Sequence, residues 1–134
     1  MRTALTVLAC IMVMTACGNK TEEQARKSGK EIFFEEKVYN YGEIAVDSDG
    51  ECGFLFRNIS DKPIVINRVR SNCGCTIPGW PEEPIEPGES DTIKAIYNTS
   101  LTGPFTKTVY VYSTAANSPV KLQIKGKVID EPKI

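Results

Sequence analysis

Histidine is absent from the 134-residue chain. That removes the side chain most often used as general acid or base and as the base of a catalytic triad. It also removes a common zinc ligand. The only methionines, Met1, Met12 and Met14, lie within the first sixteen residues. A chain that loses this segment has neither Met nor His. Charge of one sign is not in excess either, with 16 Lys+Arg against 17 Asp+Glu. No basic stripe or charge block is visible along the sequence, so nothing in it points to nucleic acid. Phosphate-loop, dinucleotide and Gly-x-Ser-x-Gly signatures are missing. Glu82 and Glu83 stand side by side in a Pro-rich stretch and read as solvated rather than as a catalytic pair. These absences argue against an enzyme and against a bound cofactor.

The first sixteen residues differ from the rest. Met1-Arg2 gives a short positive start, and Leu5 to Met14 is an apolar run of signal-peptide length. It is too short to span a bilayer, which takes about 20 apolar residues. Thr15-Ala16 closes the run and Cys17 follows. Met14-Thr15-Ala16-Cys17 resembles the lipobox of bacterial lipoproteins, with Met at a position where Leu is more usual. The resemblance implies that Cys17 is acylated and becomes the first residue after cleavage. An ordinary secretory signal is the competing reading. Val7-Leu8-Ala9-Cys10 also resembles a lipobox but leaves too short an apolar region before it. Cleavage after Ala16 removes Arg2 and no acid, which tips the balance further towards negative. Residues 17–30 then read as the lipidated cysteine and a polar, flexible tether reaching roughly 20 Å. Several acyl chains on one cysteine would anchor stably where a single chain would not.

From Glu31 the pattern is one of short strands and frequent turns. Val120, Leu122, Ile124 and Val128 alternate with Lys121, Gln123, Lys125 and Lys127, as in a strand with one dry face. Cys52, Phe54 and Phe56 form a second such series, and Ile93, Ala95 and Tyr97 a third. Glu31 to Glu35, Pro63 to Arg70 and Phe105 to Ser113 are β-rich. Asn40-Tyr41-Gly42, Asp49-Gly50, Asn58 to Asp61 and Ala116 to Ser118 read as turns. No segment after the signal has helical periodicity. The fold expected for residues 31–130 is all-β, an immunoglobulin-like sandwich of about seven strands, followed by a tail over 131–134.

Tyr41-Gly42-Glu43-Ile44, Phe54 to Asn58, Cys73-Gly74-Cys75-Thr76, Ile85 to Glu89, Gly103-Pro104-Phe105 and Leu122 to Val128 occur in an ordered series. Through it the chain resembles domain-of-unknown-function family 1573 over nearly all of Glu31 to Val128. The resemblance implies a bacterial envelope lipoprotein with an immunoglobulin-like domain. It implies no activity.

Cys73-Gly74-Cys75 is the sharpest chemical feature. Two cysteines two residues apart on a straight strand cannot bridge, because a disulfide needs Cβ atoms about 3.8 Å apart. A bridge therefore calls for a tight turn, and Gly74 is expected to supply its backbone angles. Closing so short a loop stabilises little, and such a bridge would be strained and readily reduced. Export favours disulfides. With Cys17 acylated, however, Cys52, Cys73 and Cys75 are an odd set, so at least one stays free or pairs between molecules. Cys52 shares a face with Phe54 and Phe56 and reads as a core thiol. If it did pair, the bond would cross to Cys73 or Cys75. Two thiolates also suit Cu(I) or zinc, but a closed zinc site wants four ligands, so no metal site is expected. The readings rank as structural turn, redox pair, then metal.

Pro78, Pro81, Pro84 and Pro87 recur every third residue around Trp80. In a polyproline II segment they would line one edge and form a ledge for a partner protein or glycan. The plainer reading packs Trp80 over the end of the sandwich. Tyr110 and Tyr112 share a strand face, as a contact patch or as core. The sequons at Asn58 and Asn98 carry no information in a bacterial lipoprotein. The expectation for function is a lipid-anchored cell-envelope module that binds an envelope protein or glycan and no nucleic acid. The alternative is a thiol redox or metal-handling lipoprotein acting through Cys73 and Cys75. Gly18 stands where an Asp would mark inner-membrane retention, so the outer membrane is expected.

Overall fold

Alternation of apolar and polar residues buries one side of each strand, and two such sheets closing on each other make the core. The computed structural model describes residues 19–130. Its elements are α1 (Asn19–Lys27), β1 (Ile32–Phe34), β2 (Val38–Ala45), β3 (Glu51–Asn58), β4 (Ile66–Ser71), β5 (Thr76–Gly79), β6 (Ser90–Tyr97), β7 (Gly103–Ser113) and β8 (Val120–Ile129). One sheet runs β1-β3-β6-β5 and the other β2-β8-β7-β4. Phe54, Phe56 and Ile93 from the first meet Val109, Leu122, Ile124 and Val128 from the second, all essentially without solvent contact. Burying each such side chain stabilises the fold by roughly 1.5–3 kcal/mol. The expected sandwich is therefore present, and β3, β6 and β8 follow the alternation read from sequence.

There are eight strands among the described residues rather than seven. Asn40-Tyr41-Gly42 is not a turn between elements: it lies inside β2, which pairs parallel to β8 and slips register between Asn40 and Glu43. Gly42 has φ 65°, and the Asn40 side chain accepts a hydrogen bond from its N–H at 2.9 Å. Turn chemistry has been used to build a bulge. The other unexpected strand, β5, is short and carries Pro78 opposite Ala95. It lies at a sheet edge, where one side of the backbone has no ladder to interrupt.

The expected flexible tether is helical over Asn19–Lys27. Only Ala25 is buried, at 6% exposure, so no periodic apolar stripe announced it. Glu22 forms an ion pair with Arg57 of β3 at 3.2 Å, and Glu23 with Lys27 at 3.5 Å. The helix closes at Gly29, φ 76°. There the Gly29 N–H bonds the Arg26 carbonyl at 3.0 Å and the Lys30 N–H bonds the Ala25 carbonyl at 3.1 Å, a Schellman ending. The signal residues, Cys17 and the 131–134 tail lie outside the described residues.

Candidate functional site

The Cys-Gly-Cys segment crosses from one sheet to the other, between the end of β4 and the start of β5. Cys73 and Cys75 are joined by a disulfide, with Cα atoms 5.4 Å apart. Both are partly exposed. The segment is held by three hydrogen bonds from two sides. The Asn72 N–H donates to the Thr108 carbonyl at 3.1 Å, and the Asn98 N–H to the Cys75 carbonyl at 2.7 Å. The Thr108 N–H returns a bond to the Asn72 side chain at 3.1 Å. Gly74 is not among the residues of positive φ, and a Cβ there would meet nothing within 4 Å. The bridge therefore does not depend on the special angles expected of glycine. Thr76, next in line, is buried with a hydroxyl that has no hydrogen-bond partner among the described residues.

Cys52 is free and buried on β3, away from that bridge. Burial pushes its thiol pKa up, against the opposing effect of the Tyr41 hydroxyl beside it. A thiol held protonated is a poor nucleophile. Tyr41 is itself pushed up, first by burial and then by Cys52. Its hydroxyl donates to the Gly50 carbonyl at 2.6 Å.

The structure divides the proline series between a strand and a loop. Pro78 belongs to β5, Pro81 is half-buried and Pro84 exposed. Ile85 breaks the series by pairing with Ile64 through bonds of 2.9 and 2.8 Å. It is buried and pulls the chain onto the core. Trp80 is partly buried against that core rather than displayed.

What sequence reading missed is the outer face of the β2-β8-β7-β4 sheet. Strand pairing sets Arg70 opposite Tyr110, and Tyr110 opposite Lys121. Arg68 faces Tyr112, its guanidinium 4.8 Å from the ring centroid, within cation–π range. Lys125 and Lys127 continue the row along β8, both exposed. Glu43 is the only acid in all four strands, and it lies opposite Lys127. The other sheet is balanced, with Glu51 and Asp91 against Arg57 and Lys94. Among the described residues, ion pairs engage Lys27, Arg57, Lys62 and Lys94, and none engages a cation of this face. The absence of a basic stripe from the sequence is thus corrected by the fold. Period-two spacing of Arg68 with Arg70, and of Lys125 with Lys127, was the available signal.

Helix α1 lies on the opposite side of the sandwich. Its Thr21 and Glu22 line a cleft of about 420 Å³ with Phe33, Leu55, Arg57 and Ser90 on the outer side of the β1-β3-β6-β5 sheet. Leu55 is 57% exposed there.

Residues 32–128 match the family model described as "Protein of unknown function (DUF1573)". No curated protein matches the sequence. Among solved structures, the chain is similar to an ASH/PapD-like domain of human CEP192, with TM-score 0.64 and 8% identity, over 76% of this chain and 87% of that one. It is similar to a protein of unknown function from Porphyromonas gingivalis W83, with TM-score 0.65 and 10% identity, over 73% and 46% of the two chains. It is also similar to the YadV chaperone, with TM-score 0.56 and 14% identity, over 73% and 52%. The chain spans about half the length of the latter two. At these identities the likeness is one of fold, an immunoglobulin-like sandwich of the PapD-like kind.

Proposed function

The chain belongs to the DUF1573 family, proteins of unknown function, and from that premise we propose that it is a non-catalytic interaction module, lipid-anchored in the bacterial cell envelope through Cys17. The observation that carries the reading is the basic, tyrosine-bearing outer face of the β2-β8-β7-β4 sheet, whose cations take part in no ion pair among the described residues. A like-charged face of this kind repels itself and is relieved by a partner of opposite sign. One protein of similar fold is a chaperone, which fits a sandwich used for binding.

The position of α1 supports the anchor and the face working together. Cys17 is two residues from Asn19, and two extended residues span at most about 7 Å. An anchor there holds the α1 side of the sandwich near the lipid and leaves the basic face directed away from it. Gly18 after Cys17 favours the outer membrane.

A photo-crosslinking amino acid in place of Gln123 tests the module in cells. Position 123 should trap a defined partner, and position 55, on the α1 side, should not trap the same one. Persistent silence at 123 in membrane-bound protein would count against the reading. Incorporation of a lipid analogue should be lost in Cys17→Ala; label kept by that variant would remove the anchor. A second reading, a thiol–disulfide role, is favoured by the bridge lying in a partly exposed turn. If reductant never exposes Cys73 and Cys75 to a thiol label, it fails.

A further inference from the structure

Charge segregation over the sandwich points to the chemistry of the partner. Arg68, Arg70, Lys121, Lys125 and Lys127 all project from one face. On that face Tyr110 and Tyr112 are the large rings, and Thr106, Thr108 and Gln123 stand between the cations. A protein–protein interface depletes lysine and gathers apolar side chains at its centre. This face instead carries three lysines, and Val38, opposite Gln123, is the one exposed large apolar side chain that strand register sets on it among the described residues. A polyanion needs no apolar centre, because each charge neutralised releases condensed counterions and that release drives binding.

The spacing is that of a stripe rather than a cup. Lys121, Lys125 and Lys127 are four and two residues apart, hence about 13 and 7 Å apart along a strand. Arg70, Tyr110 and Lys121 form a row across three adjacent strands, about 10 Å wide. Such a row suits a linear chain with charges at intervals of one or two units. Tyr112 has its ring covered by Arg68 at 4.8 Å. Tyr110 is half-buried between Arg70 and Lys121, which leaves it as the platform on which one ring of the polymer stacks. The membrane that holds the anchor is not the occupant, because α1 lies against the opposite sheet.

We infer that the outer face of the β2-β8-β7-β4 sheet binds an anionic polysaccharide, with Arg68, Arg70, Lys121, Lys125 and Lys127 meeting its charges and Tyr110 stacking on a sugar ring. The inference rests on the interaction-module reading and names the partner for the same face.

The test uses the full lipidated chain in neutral detergent and polygalacturonate as the carboxylated probe, with neutral dextran as control, titrated at rising NaCl. Polygalacturonate should bind and dextran should not, and the logarithm of the association constant should fall linearly with the logarithm of salt. The triple variant K121Q/K125Q/K127Q should flatten that slope by about 2. Tyr110→Ala should weaken binding about tenfold, by analogy with base stacking, and leave the slope unchanged. The three lysines are exposed, so the triple variant should melt near wild type, and Tyr110→Ala, on a central strand, is titrated at a temperature where its own melting curve shows it folded. No binding of polygalacturonate overturns the inference, as does binding that the triple variant leaves unchanged. Equal or tighter binding of an oligothymidylate or of phosphatidylglycerol vesicles overturns it as well. If polygalacturonate is not bound while position 123 still crosslinks a protein in cells, the polysaccharide falls and the interaction module stands. If both fail, both fall.

Discussion

Replacing Asn58 with alanine cuts a polar knot at the end of β3. The residue has no solvent exposure. Its Nδ2 donates to the Lys62 carbonyl at 2.7 Å and to the Ile85 carbonyl at 2.8 Å. Its Oδ1 accepts from the Ser60 N–H at 2.9 Å and the Ser60 hydroxyl at 2.7 Å. One side chain thus ties β3, the following turn and the Ile64–Ile85 bridge. Each hydrogen bond contributes about 1 kcal/mol net, and a buried partner left unmet costs more. Water can reach the exposed Lys62 side of the knot. The Ile85 carbonyl keeps only its bond from the Ile64 N–H at 2.9 Å. Together these set the loss at about 3 kcal/mol. In a urea titration followed by circular dichroism, with m about 1.5 kcal/mol/M, the midpoint should fall by about 2 M. Asn98→Ala is the control. It is exposed, its Oδ1 accepts only the Ser100 N–H at 3.0 Å, and its loss should stay within about 0.5 kcal/mol. Asn58→Asp keeps the Ser60 bonds but turns an acceptor towards two carbonyls, so it should be at least as damaging as alanine. Equal losses for Asn58→Ala and Asn98→Ala would refute the reasoning.

Gly50→Ala should unfold the domain or cost several kcal/mol, because its Cβ would collide with the Tyr97 carbonyl oxygen, whereas Gly74→Ala should leave the melting temperature near wild type; the contrast is read by thermal denaturation. The Glu31 carboxyl is held below its ordinary 4.5, first by the Ala116 N–H and then, against some desolvation, by Lys62. A depressed pKa contributes stability above the unfolded value that is lost as pH falls through the folded one. The melting temperature should therefore drop on acidification below about pH 4.5, and Glu31→Gln should reduce the drop. In reductant, Cys73 and Cys75 should label in the folded protein, while Cys52 should label only in denaturant; fast labelling of all three would show that Cys52 is not shielded. Loss of the bridge in the Cys73→Ser, Cys75→Ser double variant should lower stability by no more than about 1.6 kcal/mol, the chain-entropy value for so short a loop. With Trp80→Phe as background, a tryptophan in place of Leu55 should be quenched by brominated lipids in vesicles carrying the lipidated chain. One in place of Tyr110 should not, and the reverse pattern would invert the proposed orientation.

The strands that were legible are those with one dry face. β3 throughout, and β6 and β8 over most of their length, alternate because every second side chain enters the core. β2 is mostly exposed and bulged, so neither alternation nor turn chemistry reads correctly there. α1 has a single buried residue, Ala25, and rests on an ion pair with a strand far along the chain. Asn58 read as a turn former, and it is one, but its burial comes from Ile85 folding over it. The proline repeat left open both a ledge and a loop packed on the sandwich, because the sequence does not show that Ile85 will pair with Ile64.

By itself the sequence determined the class of fold and the absence of histidine. It also showed which residues of three strands face inward. Only the tertiary structure decided that Arg68 and Arg70 of β4 stand beside Lys121, Lys125 and Lys127 of β8, with β7 between them. The physical reason is that local periodicity reports which side of a strand is dry, whereas the neighbour of a strand is chosen by non-local pairing. A chain of nearly balanced charge thus carries one sheet with a single acid, and that imbalance exists only once the strands are assembled.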